Sequence, residues 1–131
     1  MQSILTGVYS LYSANAALKS ALPGKLHFEI APQGTAMTYG TYNLITGRPE
    51  YSLANRSDEV IRIQFDIYAA TNALRLAAYN ALIALYDDSR PVASGYTPVI
   101  RERTGQQFIR DGENNEIFRA IIEYEGRWER N

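Results

Sequence analysis

The chain has 131 residues, 46% of them hydrophobic, and a formal net charge of −1. These values fit one globular domain, residues 1–131, large enough for a real core, and exclude wholesale disorder. The thirteen basic and fourteen acidic residues are scattered, so net charge attracts neither nucleic acid nor an anionic membrane. Cysteine is absent, which removes disulfide frameworks, thiolate catalysis and cysteine metal sites together.

The opening MQSILTGVYSLYSANA ends in an Ala-x-Ala pattern but has no basic segment, and Thr6, Ser10 and Ser13 interrupt its apolar stretch. It reads as folded domain rather than signal peptide. No run approaches the roughly 18 apolar residues of a membrane span. The expectation is a soluble protein, intracellular where it is made, with no membrane partner.

In chain order, Ser3 is a candidate cap for a first helix, with Ile4, Leu5, Val8, Leu11 and Tyr12 at helical spacing. Ser13 or Asn15 restarts a short second turn that stops before Pro23 and Gly24. KLHFEI alternates, with Leu26, Phe28 and Ile30 on one side, and predicts a half-buried strand. MTYGTYNLIT predicts a second strand. VIRIQFDIYA predicts a third, with Ile61, Ile63, Phe65 and Ile67 inward and Arg62, Gln64, Asp66 and Tyr68 outward. The thirteen-residue link GRPEYSLANRSDE makes this pair a hairpin with an extended arm, its residues 48–57 ordered only on binding a neighbour.

Asn72 is the predicted cap of the main helix, ALRLAAYNALIALY, which stops at Asp87 and Asp88. Only Arg75 and Asn80 interrupt its apolar circumference, so it is expected to bury two sides, one against the sheet and one against the first helix or another chain. Residues 89–105 read as a long loop with a possible short strand at 99–103. QQFIRD and EIFRAIIEYEGRW then close the chain as a hairpin around GENN, with Phe118, Ala120, Ile122 and Tyr124 on one face. The predicted fold is α+β: an antiparallel sheet of four to five strands against two main helices, with an extended hairpin arm.

Little in this chain points to chemistry. His27 is the single histidine and sits on the polar side of a strand. The carboxylates Asp58/Glu59, Asp87/Asp88 and Asp111/Glu113/Glu116 fall at element ends, where acids are well solvated. Asp87 and Asp88 lie at the unfavourable end of a helix dipole, which calls for a cation such as Arg90. GTYNLITG lacks the Gly-Lys-Ser/Thr of a phosphate loop, and no serine sits in a nucleophile elbow. No catalytic, cofactor-binding or metal residue is assigned, and no cofactor is expected.

The excess is in tyrosine, ten residues. Tyrosine brings large contact area at low entropic cost to half-buried surfaces. The segment IAPQGTAMTYGTYNLITGRPEYSL is shaped by proline and glycine yet carries one carboxylate, Glu50, and no histidine. Tyr39, Tyr42 and Tyr51 on it are candidate partner contacts.

The ordered set Ala-Asn-Ala-Ala-Leu (14–18), Pro-Gly-Lys-Leu (23–26), Ala-Pro-Gln-Gly (31–34), Gly-Arg-Pro-Glu-Tyr-Ser-Leu (47–53), Ile-Gln-Phe-Asp-Ile-Tyr-Ala (63–69) and Arg-Ala-Ile-Ile-Glu-Tyr-Glu (119–125) resembles the tail-completion proteins of long-tailed bacteriophages and prophages, also called tail terminators or head–tail joining proteins. The likeness spans nearly the whole chain and departs from the pattern at residues 25–30 and 89–105. It implies a non-enzymatic subunit of a homo-hexameric ring that caps the tail tube, stops its polymerisation and presents a surface to the head connector. The implied partners are further copies of the chain, the tail tube protein and the head completion protein, with DNA only passing through the channel. The implied location is the head-proximal end of the virion tail, reached from the host cytoplasm. Expected interface residues are Tyr39, Tyr42, Arg48, Glu50, Tyr51, Arg62, Asp66, Arg75 and Tyr79. Arg62 and Asp66 are read as free to pair across subunits, and the Arg75–Tyr79–Tyr86 side of the helix as the second choice. The alternative is a small α+β ligand-binding domain or enzyme with a pocket between helices and sheet.

Overall fold

The computed structural model describes residues 2–51, 57–87, 93–114 and 116–130. Element order is α1 (Gln2–Ser13), α2 (Ala16–Ala21), β1 (Leu26–Phe28), β2 (Tyr39–Tyr51), β3 (Ser57–Ala69), α3 (Asn72–Tyr86), β4 (Tyr96–Asp111) and β5 (Ile117–Arg130). The strands form one sheet in the order β1-β2-β3-β5-β4, and the three helices cover one face. This is the expected α+β fold. Four strands are antiparallel, but β1 runs parallel to β2, so the sheet is mixed at one edge.

Local chemistry sets the helix ends. Asn15 caps α2, its Oδ1 accepting from Leu18 N at 2.8 Å. Thr71 rather than Asn72 caps α3, its Oγ1 accepting from Leu74 N at 3.2 Å. Asn72 is the first helical residue and turns its carbonyl oxygen to Arg75. Thr71→Ala is expected to cost about 1 kcal/mol, measurable as a shift of the urea midpoint. Ser3 lies inside α1, where its hydroxyl donates to Ser94 O at 3.3 Å instead of capping.

The core lies between the helices and the sheet. Ile4, Val8, Leu18 and Leu22 from the first two helices meet Ile61, Phe65 and Ile67 of β3 and Ile122 and Trp128 of β5, all at 2% exposure or less. The predicted inward residues of β3 are buried, as are Ala120, Ile122 and Tyr124 of β5, while Phe118 is half-buried. Tyr86 donates to Val8 O at 2.7 Å, tying α3 to α1. Gly126 marks where β5 admits a close neighbour: a Cβ there would stand 2.5 Å from the Trp128 ring. Gly126→Ala is expected to destabilise by about 1–3 kcal/mol through this overpacking, seen as a lower thermal midpoint.

Three strand expectations change. The thirteen-residue link is mostly ladder, since β2 and β3 stay paired out to Tyr51↔Ser57. The arm is therefore a two-stranded ribbon, and residues 52–56 lie outside the described residues. β4 begins at Tyr96, absorbing much of the expected loop. Register shifts at Pro98/Ile100 and Arg103/Gly105 hid its alternation. β1 stops at Phe28, leaving Ile30 81% exposed, because Glu29 adopts φ 64 and turns the chain off the sheet.

Candidate assembly surface

Among the described residues, no element packs over the sheet face away from the helices. Register places Tyr39, Thr41 and Asn43 of β2 beside Tyr68, Asp66 and Gln64 of β3, and these beside Arg119, Ile121 and Glu123 of β5. Such a one-sided sheet is stable in water when its outer residues partner one another. Tyr39 stacks on Tyr68 with ring centroids 4.9 Å apart. The Arg119 guanidinium lies 5.2 Å from the Tyr68 ring.

Asp66 is not free. It is 6% exposed, accepts from Gln64 Nε2 at 3.0 and 3.1 Å, and pairs with Arg119 at 3.4 Å. Arg119 also reaches Asp111 at 3.6 Å. The expectation that Asp66 waits for a cation on another subunit is therefore corrected: alternation along β3 put it on the outer face, but a cation from the next strand already holds it. Arg62 is on the same face, half-buried, with Glu125 across from it on β5 and Glu102 across from Glu125 on β4. Arg127 follows Glu125 on the same side of β5, opposite Val60 and Ile100, so this end of the face carries two cations and two carboxylates.

The helix candidates also turn inward. Tyr79 is 8% exposed, and its hydroxyl accepts from Arg103 Nη1 at 2.9 Å. Arg75 donates to Ile109 O at 3.1 Å, Arg119 O at 3.4 Å and Asn72 Oδ1 at 2.5 Å. Its guanidinium sits between the Phe108 and Phe118 rings at 5.1 and 5.2 Å. It clamps the start of α3 to the β4–β5 hairpin. Arg75→Lys keeps the charge but loses the planar fork and is expected to cost about 2 kcal/mol, read from the denaturant midpoint. Tyr86 is 1% exposed, so the Arg75–Tyr79–Tyr86 side faces this chain's own sheet. The opposite side of α3 carries Ala73, Leu76, Ala77, Asn80 and Ala84, all exposed. The apolar circumference was legible; which side it presents outward was not.

Asp87 finds its partners at the end of α3 in Tyr124 Oη, which donates at 2.6 Å, and Arg103 at 3.6 Å. Asp88 and Arg90 lie outside the described residues. His27 places Nε2 2.7 Å from Gly24 O, a donor role that fixes its tautomer. Arg48, Glu50 and Tyr51 are on the arm, where the backbone is paired as above.

Tyr42 is core rather than contact surface. It is 6% exposed and packs between Phe28 at 5.3 Å and Tyr9 and Phe65 at 6.2 Å. It also lines a groove of about 220 Å³ with Leu5, Thr6, Tyr9 and Phe28, which spacing alone did not reveal. Burial raises the Tyr42, Tyr12 and Tyr68 hydroxyls above the usual tyrosine range. A group raised in the folded state stabilises fully below its unfolded pKa of about 10 and loses that contribution as pH rises through the folded value. Stability is therefore expected to fall above pH ~10, with Tyr42→Phe less sensitive there than the native chain in denaturant titrations.

No protein-family model matches the chain, and no curated protein matches it in sequence. The fold defines an α+β domain with three helices on one face of a five-stranded sheet, and that fold does match a solved structure. The chain is similar to one from the virion of a native gene transfer agent particle, with a TM-score of 0.78 and 18% identity over 98% of this chain and 96% of that one. At that identity the likeness is one of fold, and it covers both chains almost end to end.

Proposed function

We propose that the chain is a non-enzymatic structural subunit of a phage-like virion, and within it a tail-completion protein that forms a hexameric ring on the tail tube. The observation that carries this reading is the end-to-end fold match to a chain of a gene transfer agent virion, which agrees with the independent resemblance of the sequence. In this role the ring stops tube polymerisation and offers the head completion protein its seat, with DNA passing through the channel. The open sheet face around Tyr39, Arg62 and Glu125 and the paired arm carrying Arg48, Glu50 and Tyr51 are the proposed contact surfaces. The outward side of α3 replaces the Arg75–Tyr79 side as the second contact.

Ring formation is tested by native mass spectrometry and negative-stain imaging of the purified chain, alone and with tail tubes. Six copies in a closed ring support the reading. A monomer under both conditions removes the ring. Asn80→Arg separates the surfaces: on a solvated helix side it changes stability by no more than about 0.5 kcal/mol, whereas at a subunit contact it blocks assembly of a folded chain. Phe65, Tyr86, Tyr124 and Trp128 fill the centre of the space between helices and sheet, and a ligand-binding or enzyme reading would place its pocket in the groove of about 220 Å³ between α1 and the sheet, at Leu5, Tyr9 and Tyr42.

A further inference from the structure

The ladder between β1 and β2 stops two rungs short of where the alternation of β1 would carry it. Gly40 N donates to Lys25 O at 3.0 Å and Glu29 N donates to Tyr42 O at 2.9 Å. In a parallel pair the next rungs run from Leu44 N to Glu29 O and from Ala31 N to Leu44 O. Instead, Ile30 N donates to Phe28 O at 2.7 Å around Glu29 at φ 64. That is a three-residue turn of positive φ, the strained form of its class, on a residue with a side chain. Strain of this kind persists at switches more often than in passive loops.

The sequence is already patterned for the missing rungs. Leu26, Phe28 and Ile30 alternate, and the register Phe28↔Tyr42 would put Ile30 opposite Leu44, on the helix side of the sheet. That position adjoins the groove lined by Leu5, Thr6, Tyr9, Phe28 and Tyr42. Ile30 is meanwhile 81% exposed, an apolar side chain standing in water beside an apolar groove. Chain length permits the move. With β1 ending at Ala31, residues 32–38 span at most about 23–25 Å, and the return to Tyr39 needs about 20 Å of strand rise. Pro32 would end the extension, since its nitrogen has no proton to donate.

We propose that residues 29–31 are a strap that closes on the β2 edge, extending β1 to Ala31 and seating Ile30 in the groove between α1 and the sheet. The open form leaves Leu44 N–H and C=O at an unprotected edge. The closed form covers them with the chain's own backbone, which guards the edge against strand addition. The strap thus sets when this edge is available, whatever the chain assembles into.

Amide exchange at Leu44 tests it. Glu29→Val penalises positive φ and is expected to slow Leu44 exchange on the order of tenfold, with the amides of Ile63 and Phe65 unchanged as a folding control. The absence of cysteine permits a second measurement in an otherwise native chain. Ile30→Cys with Leu44→Cys is expected to cross-link within one molecule under mild oxidation, and faster than Ile30→Cys with Asn43→Cys, whose second thiol faces the other side of the sheet. Unchanged Leu44 exchange in a folded Glu29→Val chain overturns the strap. So does equal cross-linking of the two cysteine pairs, and that result decides the matter if Glu29→Val does not fold.

Discussion

Phe65→Ala is expected to lower stability by about 3–5 kcal/mol, the largest effect of any single truncation considered. Phe65 is 1% exposed and stands at the centre of the aromatic core, with ring centroids of Tyr86 at 4.6 Å, Tyr124 at 5.9 Å and Tyr42 at 6.2 Å. These rings come from α3, β5 and β2, so one truncation loosens three elements at once. That is a large share of a domain's typical stability of about 5–15 kcal/mol. Phe65→Leu, which keeps more of the volume, is expected to cost under about 1.5 kcal/mol. Urea unfolding of the two variants checks the ordering. Equal losses would mean that ring geometry, rather than filled volume, holds the core.

Asp66→Arg is expected to destabilise the chain by about 3–5 kcal/mol. The change removes the buried partner of Arg119 and sets a second guanidinium beside it, next to Gln64 and Tyr68. Asp66→Asn keeps the shape and loses the charge, and is expected to cost about 1–3 kcal/mol. Equilibrium unfolding of the monomer reads both. A loss of no more than about 0.5 kcal/mol for Asp66→Arg would mean that the Asp66–Arg119 pair contributes nothing in solution and that the position behaves as open surface. Because the variant weakens the folded chain itself, a loss of assembly would not isolate a subunit contact, and Asn80→Arg is the better probe.

Alternation made β3 and the inward half of β5 legible from sequence, because a period of two survives wherever one face is buried. Ile61, Ile63, Phe65 and Ile67 are core for that reason. β4 was obscured where bulges reset the period, and β1 was over-extended because Ile30 continues a pattern that the backbone at Glu29 breaks. The surface candidates fared less evenly. Tyr39 is on the outer face, where it stacks on Tyr68, whereas Tyr42, Tyr79 and Arg75 are spoken for within the chain. A one-dimensional pattern gives the side of a strand on which a residue lies. It does not give the cross-strand neighbour, and it is Arg119, 53 residues away from Asp66, that decides what Asp66 does. In the same way, an apolar helix announces that it needs two partners without saying which side meets its own sheet.

The proposed role at the tail end is tested most directly by tail length. In a producing cell lacking this chain, tail tubes are expected to grow without a fixed length and to remain unjoined to filled heads. Supplying the chain in trans is expected to restore both. Tails of normal length, joined to heads in the absence of the chain, would contradict the account.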